Sequence, residues 1–187
     1  MESPAHTSTS RTQNRVTVGQ NGIRIPDGDT GASNDLTLMN EHLILKFASE
    51  TRPPWGMPPG GVLDIAAVVQ GRPQLDLVNL FDFLPDNWCS WPNTYHRIQA
   101  VESGPKRGVV RVERDWGDVH LATTYTLVQG ENVVHVATTM THAGTQPYEE
   151  IFPGYTLYLK GGYMFTPPGL KGIKQGRAEG ALTWSFI

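Results

Sequence analysis

"GVVRVERDWGDVHLATTYTLVQGENVVHVATTMTH", residues 108–142, decides the fold. Apolar and polar residues alternate through it. Two short segments, Asp115-Trp116-Gly117-Asp118 and Gln129-Gly130-Glu131-Asn132, interrupt the alternation with turn chemistry. The stretch therefore reads as three antiparallel strands. A two-residue turn at Trp116-Gly117 sets Arg114 opposite Val119, Glu113 opposite His120 and Val112 opposite Leu121. A second turn at Gly130-Glu131 sets Leu127 opposite Val134, Tyr125 opposite Val136 and Leu121 opposite Met140. One face then carries Val110, Val112, Val119, Leu121, Tyr125, Leu127, Val134, Val136 and Met140. The other carries Glu113, His120, Thr124, Thr126, His135, Thr139 and Thr141. Slipping any strand by one residue would turn its apolar side chains to water, so the faces are strongly specified.

The same pairing bears on metal binding. His120 and His135 share the polar face but stand three cross-strand pairs apart, close to ~20 Å at ~6.7 Å per two-residue step, too far to share an ion. His142 falls on the apolar face, near its end. None of the six histidines shows H-x-x-x-H or H-x-H spacing. The single cysteine, Cys89, excludes an internal disulfide and disfavours a thiolate zinc site. Its nearness in sequence to His96 is not the geometry a nucleophile–base pair needs, and a small buried or half-buried apolar residue is the better reading. Neither a metal nor another cofactor is expected.

Outward from the meander, strands continue. "LTLMNEHLILKFAS" (36–49) reads as a strand pair or one strand bent at Asn40-Glu41. "VLDIAAVVQ" (62–70) is a strand turned by "GRPQ". "LDLVNLFDFL" (75–84) fits a strand or a short helix. "RVTVG" is a short strand, and "RIPDGDTGASND" a loop. Asp27, Asp29 and Asp35 there lack EF-hand spacing and read as turn chemistry rather than calcium ligands. "EEIFPGYTLYLKGG" holds a further strand with Pro153-Gly154 inside it. "GLKGIKQGRAEG" lacks phosphate-loop spacing and reads as a solvated loop. The apolar ending "LTWSFI" marks either a docked strand or a truncated chain. Residues 1–14, rich in Ser and Thr, read as a disordered tail, and 15–187 as a single β-sandwich domain.

With 187 residues, 20 glycines, 14 prolines and 18% charged residues, the chain suits one turn-rich β-domain. A net charge of −3 implies no general attraction to nucleic acid or anionic lipid. No apolar run approaches the ~18 residues of a membrane span. The polar start has no secretory h-region, which makes the cytoplasm the default location.

"DNWCSWPNTYHR" (86–97) concentrates Trp88, Trp91 and Tyr95 with Asn93, His96 and Arg97. Pro85 and Pro92 argue for irregular backbone there. Aromatic rings stack on the C–H faces of sugars, and planar polar side chains grip hydroxyls. Trp55, in the proline-stiffened "RPPWGMPPGG", could complete such a wall. Against this stands a structural role, since tryptophans on average are highly buried.

"LTLMNEHLILKFA" with "GGVLDIAAVVQGRPQLDLVNL", and further on "TTYTLVQGENVVHVATTMTHAGTQPYEEI", resemble the galactose-mutarotase-like domains over roughly residues 36–162. The resemblance implies an all-β, antiparallel sandwich or supersandwich, full-length or truncated, that binds carbohydrate across one face. Aldose epimerases of that family carry a catalytic His where this chain has "FPGYTLYL", with Tyr155 and Tyr158 but no His. Their Glu base lies near the end of a longer domain. The resemblance therefore implies sugar recognition rather than epimerisation.

The reading is a carbohydrate-recognising domain, non-catalytic or accessory to a neighbouring catalytic domain or subunit. Its site would be Trp55, Trp88, Trp91, Asn93, Tyr95, His96 and Arg97. The alternatives are an epimerase-, lyase- or glycosidase-type enzyme using Tyr95, His96 and Arg97, and a structural β-domain whose tryptophans form an interface.

Overall fold

A computed structural model describes residues 15–20, 22–31, 33–87 and 90–160. Eleven strands are found among them: β1 (Thr17–Gly19), β2 (Leu36–Met39), β3 (Leu43–Phe47), β4 (Val62–Val69), β5 (Arg72–Pro73), β6 (Val78–Leu84), β7 (Thr94–Ser103), β8 (Arg107–Trp116), β9 (Val119–Val128), β10 (His135–His142) and β11 (Gly154–Leu159). They form two antiparallel sheets. The larger has the order β1-β2-β3-β4-β6-β11, with β5 paired to β4, and the smaller β10-β9-β8-β7. The fold is all-β. The tail 1–14 and the segments "GLKGIKQGRAEG" and "LTWSFI" lie outside the described residues.

The meander forms β8, β9 and β10. Its second turn pairs as expected, with Val136 opposite Tyr125 and Met140 opposite Leu121. Its first turn differs. Trp116 pairs with Val119 and Asp115 with His120, so Gly117-Asp118 is the turn. Gly117, at φ 58°, supplies the left-handed conformation that two-residue hairpin turns favour. The register is displaced by two residues, and a displacement of two keeps every side chain on its face. Val110, Val112, Val119, Leu121, Tyr125 and Leu127 are all buried, and Val134, Val136 and Met140 pack at the core's margin.

Segment 36–49 is a strand pair, not one bent strand. Asn40 closes the hairpin, its Oδ1 accepting the N–H groups of His42 and Leu43 at 2.9 and 2.8 Å. Segment 75–84 yields a strand, β6, rather than a helix. Its Val78 and Leu80 are buried and Phe81 packs on the main core, so it carries apolar groups on both faces. Pro153 lies just ahead of β11 rather than within it, where its missing N–H removes no ladder bond.

The sheets pack face to face. Leu36, Leu38, Leu45, Phe47 and Val62 of one meet Val110, Val112, Tyr125 and Leu127 of the other. Across this core runs one ion pair. Arg114 of β8, 1% exposed, donates to Asp82 of β6, 3% exposed, through Nη1–Oδ2 at 2.8 Å and Nη2–Oδ1 at 2.5 Å. Arg114 passes over Gly60, where a Cβ would lie 2.9 Å from its Cδ, so a side chain there would collide with it. The outer face of the larger sheet is covered too. Ile23 and Ile25 pack with Ile44, Ala66 and Val68, while Met57 and Trp91 cover Ala48, Leu63 and Leu80. The outer face of the smaller sheet carries the Thr- and His-bearing polar side.

Candidate functional site

The loop after β3 is fixed at its entry by Asp35. This carboxylate accepts the backbone N–H groups of Ser49, Glu50 and Thr51 at 3.0, 2.8 and 3.1 Å. Prolines then restrict the backbone on both sides of Trp55. Trp55 sits in a single 3₁₀ turn, Pro54–Gly56, at φ 58° and ψ 20°. For a bulky residue this left-handed conformation is an outlier. Yet the side chain is not held inside the protein: the residue is 67% exposed. Its ring lies 5.1 Å from that of Tyr158 on β11, and Tyr158 lies 6.5 Å from Trp91, nearly parallel at 27°. Trp91 is half-buried over Leu63 and Leu80. Trp55, Tyr158 and Trp91 thus make a continuous aromatic shelf on the outer side of the larger sheet. Trp88 lies outside the described residues. Sequence reasoning did not place Tyr158 in the site. Strand alternation in "GYTLYL", which separates Tyr158 from the inward Tyr155, was the available signal.

The polar members of the predicted set lie elsewhere. Backbone from Thr94 onward is not irregular but the start of β7, the edge strand of the smaller sheet. Pro92 sits ahead of an edge strand, a position sheets tolerate. Tyr95 pairs with Arg114 and Arg97 with Glu113, leaving His96 as the extra residue of a β-bulge. A bulge re-aims side chains, and here His96 and Arg97 both reach the outer polar face. His96 Nε2 lies 2.6 Å from Asp115 Oδ2, and His120 Nδ1 2.9 Å from Asp115 Oδ1. Arg97 Nε donates to Glu113 Oε2 at 2.5 Å, with Arg111 on the other oxygen. The hydrogen bonds from His120 and His96 hold the Asp115 carboxyl below the usual carboxylate range. Asn93 donates its backbone N–H to the Asp115 carbonyl at 2.8 Å. Tyr95 shares the inward side with its partner Arg114, and burial raises its phenol pKa. The structure therefore divides the predicted residues: Trp55 and Trp91 on one side of the sandwich, His96 and Arg97 on the other, Tyr95 turned away from both.

Three further groupings were not legible beforehand. Trp116 stacks on Tyr148 at 5.3 Å, while Tyr148 and His142 both bond Asp118. A cavity of about 570 Å³ is lined by Leu84, Asn87, Ile151, Phe152, Pro153, Gly154 and Tyr155; this mostly apolar wall offers little to hydroxyl groups. Asp29, Asp64 and Asp76 converge, but Lys160 already places its ammonium on Asp29, Asp76 and the Asp27 carbonyl. Asp64 meanwhile accepts the Asp29 and Thr30 backbone N–H groups. Asp27 and Asp29 thus serve an internal ion pair, and Asp35 a different loop. Among the described residues no helix is long and apolar enough to cross a membrane. Comparison with protein-family models, with curated proteins and with solved structures finds no match to this chain.

Proposed function

We propose that this chain is a carbohydrate-recognising β-sandwich domain, accessory to a carbohydrate-active enzyme, and a shortened relative of the galactose-mutarotase-like supersandwiches. Its site in this reading is the shelf of Trp55, Tyr158 and Trp91. The observation that carries the proposal is Trp55. A residue held in sparsely populated backbone costs about 1–3 kcal/mol, and such strain concentrates at binding sites. Here the strained residue presents its ring to solvent, so burial does not offset the cost. An exposed, pre-positioned ring beside a second and third aromatic suits the apolar face of a sugar.

The enzymatic alternative needs Tyr95, His96 and Arg97 to converge. Tyr95 points inward with its partner Arg114, while the bulge turns both His96 and Arg97 to the outer face, which weighs against it. The interface alternative draws on the same exposed aromatics, so the test must separate it. Tryptophan fluorescence is followed while mono- and oligosaccharides, neutral and uronic, are titrated in. A saturable shift with one sugar class, lost in Trp55→Gly, is the expected result. No response from folded protein across the panel would reject the sugar reading in favour of an interface.

A further inference from the structure

We infer that His96, Asp115 and His120 form a binding site for a divalent transition-metal ion of the zinc, copper or nickel kind. This site lies on the opposite side of the sandwich from the aromatic shelf and is independent of the sugar reading. Two imidazoles and one carboxylate are a donor set that such ions take, whereas calcium and magnesium prefer oxygen alone. The candidate donor atoms all lie within 4.8 Å of one another. Bonds of about 2.0–2.2 Å to a common tetrahedral ion place neighbouring donors roughly 3.3–3.6 Å apart. The two imidazoles now approach different oxygens of Asp115, His96 Nε2 at 2.6 Å from Oδ2 and His120 Nδ1 at 2.9 Å from Oδ1, so an ion bound between them requires side-chain rotation that moves each ring off the carboxylate and onto the metal.

The backbone holds this set with some rigidity. Asp115 and His120 are a direct cross-strand pair. The bulge in β7 supplies His96 from the third strand, and the Asn93 N–H fixes the Asp115 carbonyl. The next carboxylate along the face, Glu113, is already paired with Arg97 and Arg111 and does not compete. Side chains of His96 and His120 are 43% and 42% exposed, so the ion has an entry path and keeps positions open to water or a ligand. Binding displaces the protons that the two ring nitrogens now share with Asp115, and these leave to solvent or move to the other ring nitrogen.

The test uses the untagged full chain, stripped with chelator and titrated calorimetrically with zinc chloride. One-to-one binding is expected. His96→Ala, His120→Ala and Asp115→Asn should each weaken it by more than the roughly 100-fold that loss of a mere supporting residue reaches. His135→Ala and His142→Ala, which remove the histidines paired with Glu131 and Asp118, should leave it unchanged. Absence of saturable binding, or binding that survives Asp115→Asn and His120→Ala, would overturn the assignment. Should a variant fail to fold, Cu²⁺ electron paramagnetic resonance of the unmodified chain decides. Hyperfine structure from two imidazole nitrogens supports the site, and one or none refutes it.

Discussion

Replacing Trp55 by glycine separates a ring kept for binding from a ring kept for packing. Three contributions set the stability change. Releasing a side chain from left-handed backbone returns about 1–2 kcal/mol. Losing the tilted contact with Tyr158, 5.1 Å between centroids, removes about 0.5–1.5 kcal/mol. The added freedom of glycine in the unfolded chain costs about 0.5–1 kcal/mol. These oppose one another, so the net change should lie between a gain of about 1 kcal/mol and a loss of about 1.5 kcal/mol. A buried tryptophan truncated in a core would instead cost about 3–5 kcal/mol. Urea denaturation measures the difference through the midpoint, provided the slope is unchanged. The expected outcome is a protein as stable as the original that has lost its sugar response. A loss of 3 kcal/mol or more would refute the reasoning, because the ring would then be packing surface and its exposure incidental.

Other expectations follow from the same packing. Arg114→Met should destabilise by about 3–5 kcal/mol by stranding the buried Asp82 carboxylate, and adding Asp82→Leu should recover most of that; a loss below 1 kcal/mol in the single variant would contradict a buried pair. The Tyr125 hydroxyl is buried without a hydrogen-bond partner among the described residues, and burial raises its pKa. Tyr125→Phe should therefore be neutral or stabilise by up to about 1 kcal/mol, read by thermal unfolding. The hydrogen bond from Arg97 holds the Glu113 carboxyl below the usual range. A depressed folded pKa contributes stability that is present above the unfolded glutamate value, about 4.3, and is lost as pH falls through the folded value. Stability measured against pH should thus decline in acid, and Glu113→Gln should flatten that decline; an unchanged acid limb would rule this contribution out.

The sequence by itself determined the class of fold and the faces of its central meander. Alternation of period two is local, and it survives an error of two residues in a turn, which is why the inward valines and leucines of 110–140 were legible. It also marked Trp55, because prolines stiffen a loop wherever it lies. Tertiary structure alone decided where the candidate residues lie and which of them meet. Asp115 faces His120 only in the true register of the first hairpin; the expected register set Glu113 there. His96 joins them only because β7 bulges, and a bulge depends on the neighbouring strand rather than on any local residue pattern. Tyr158 reaches Trp55 and Trp91 through a pairing of strands distant in sequence, Tyr158 opposite Leu80, 78 residues away. Periodicity reports which way a side chain points, whereas the partner it meets depends on long-range pairing.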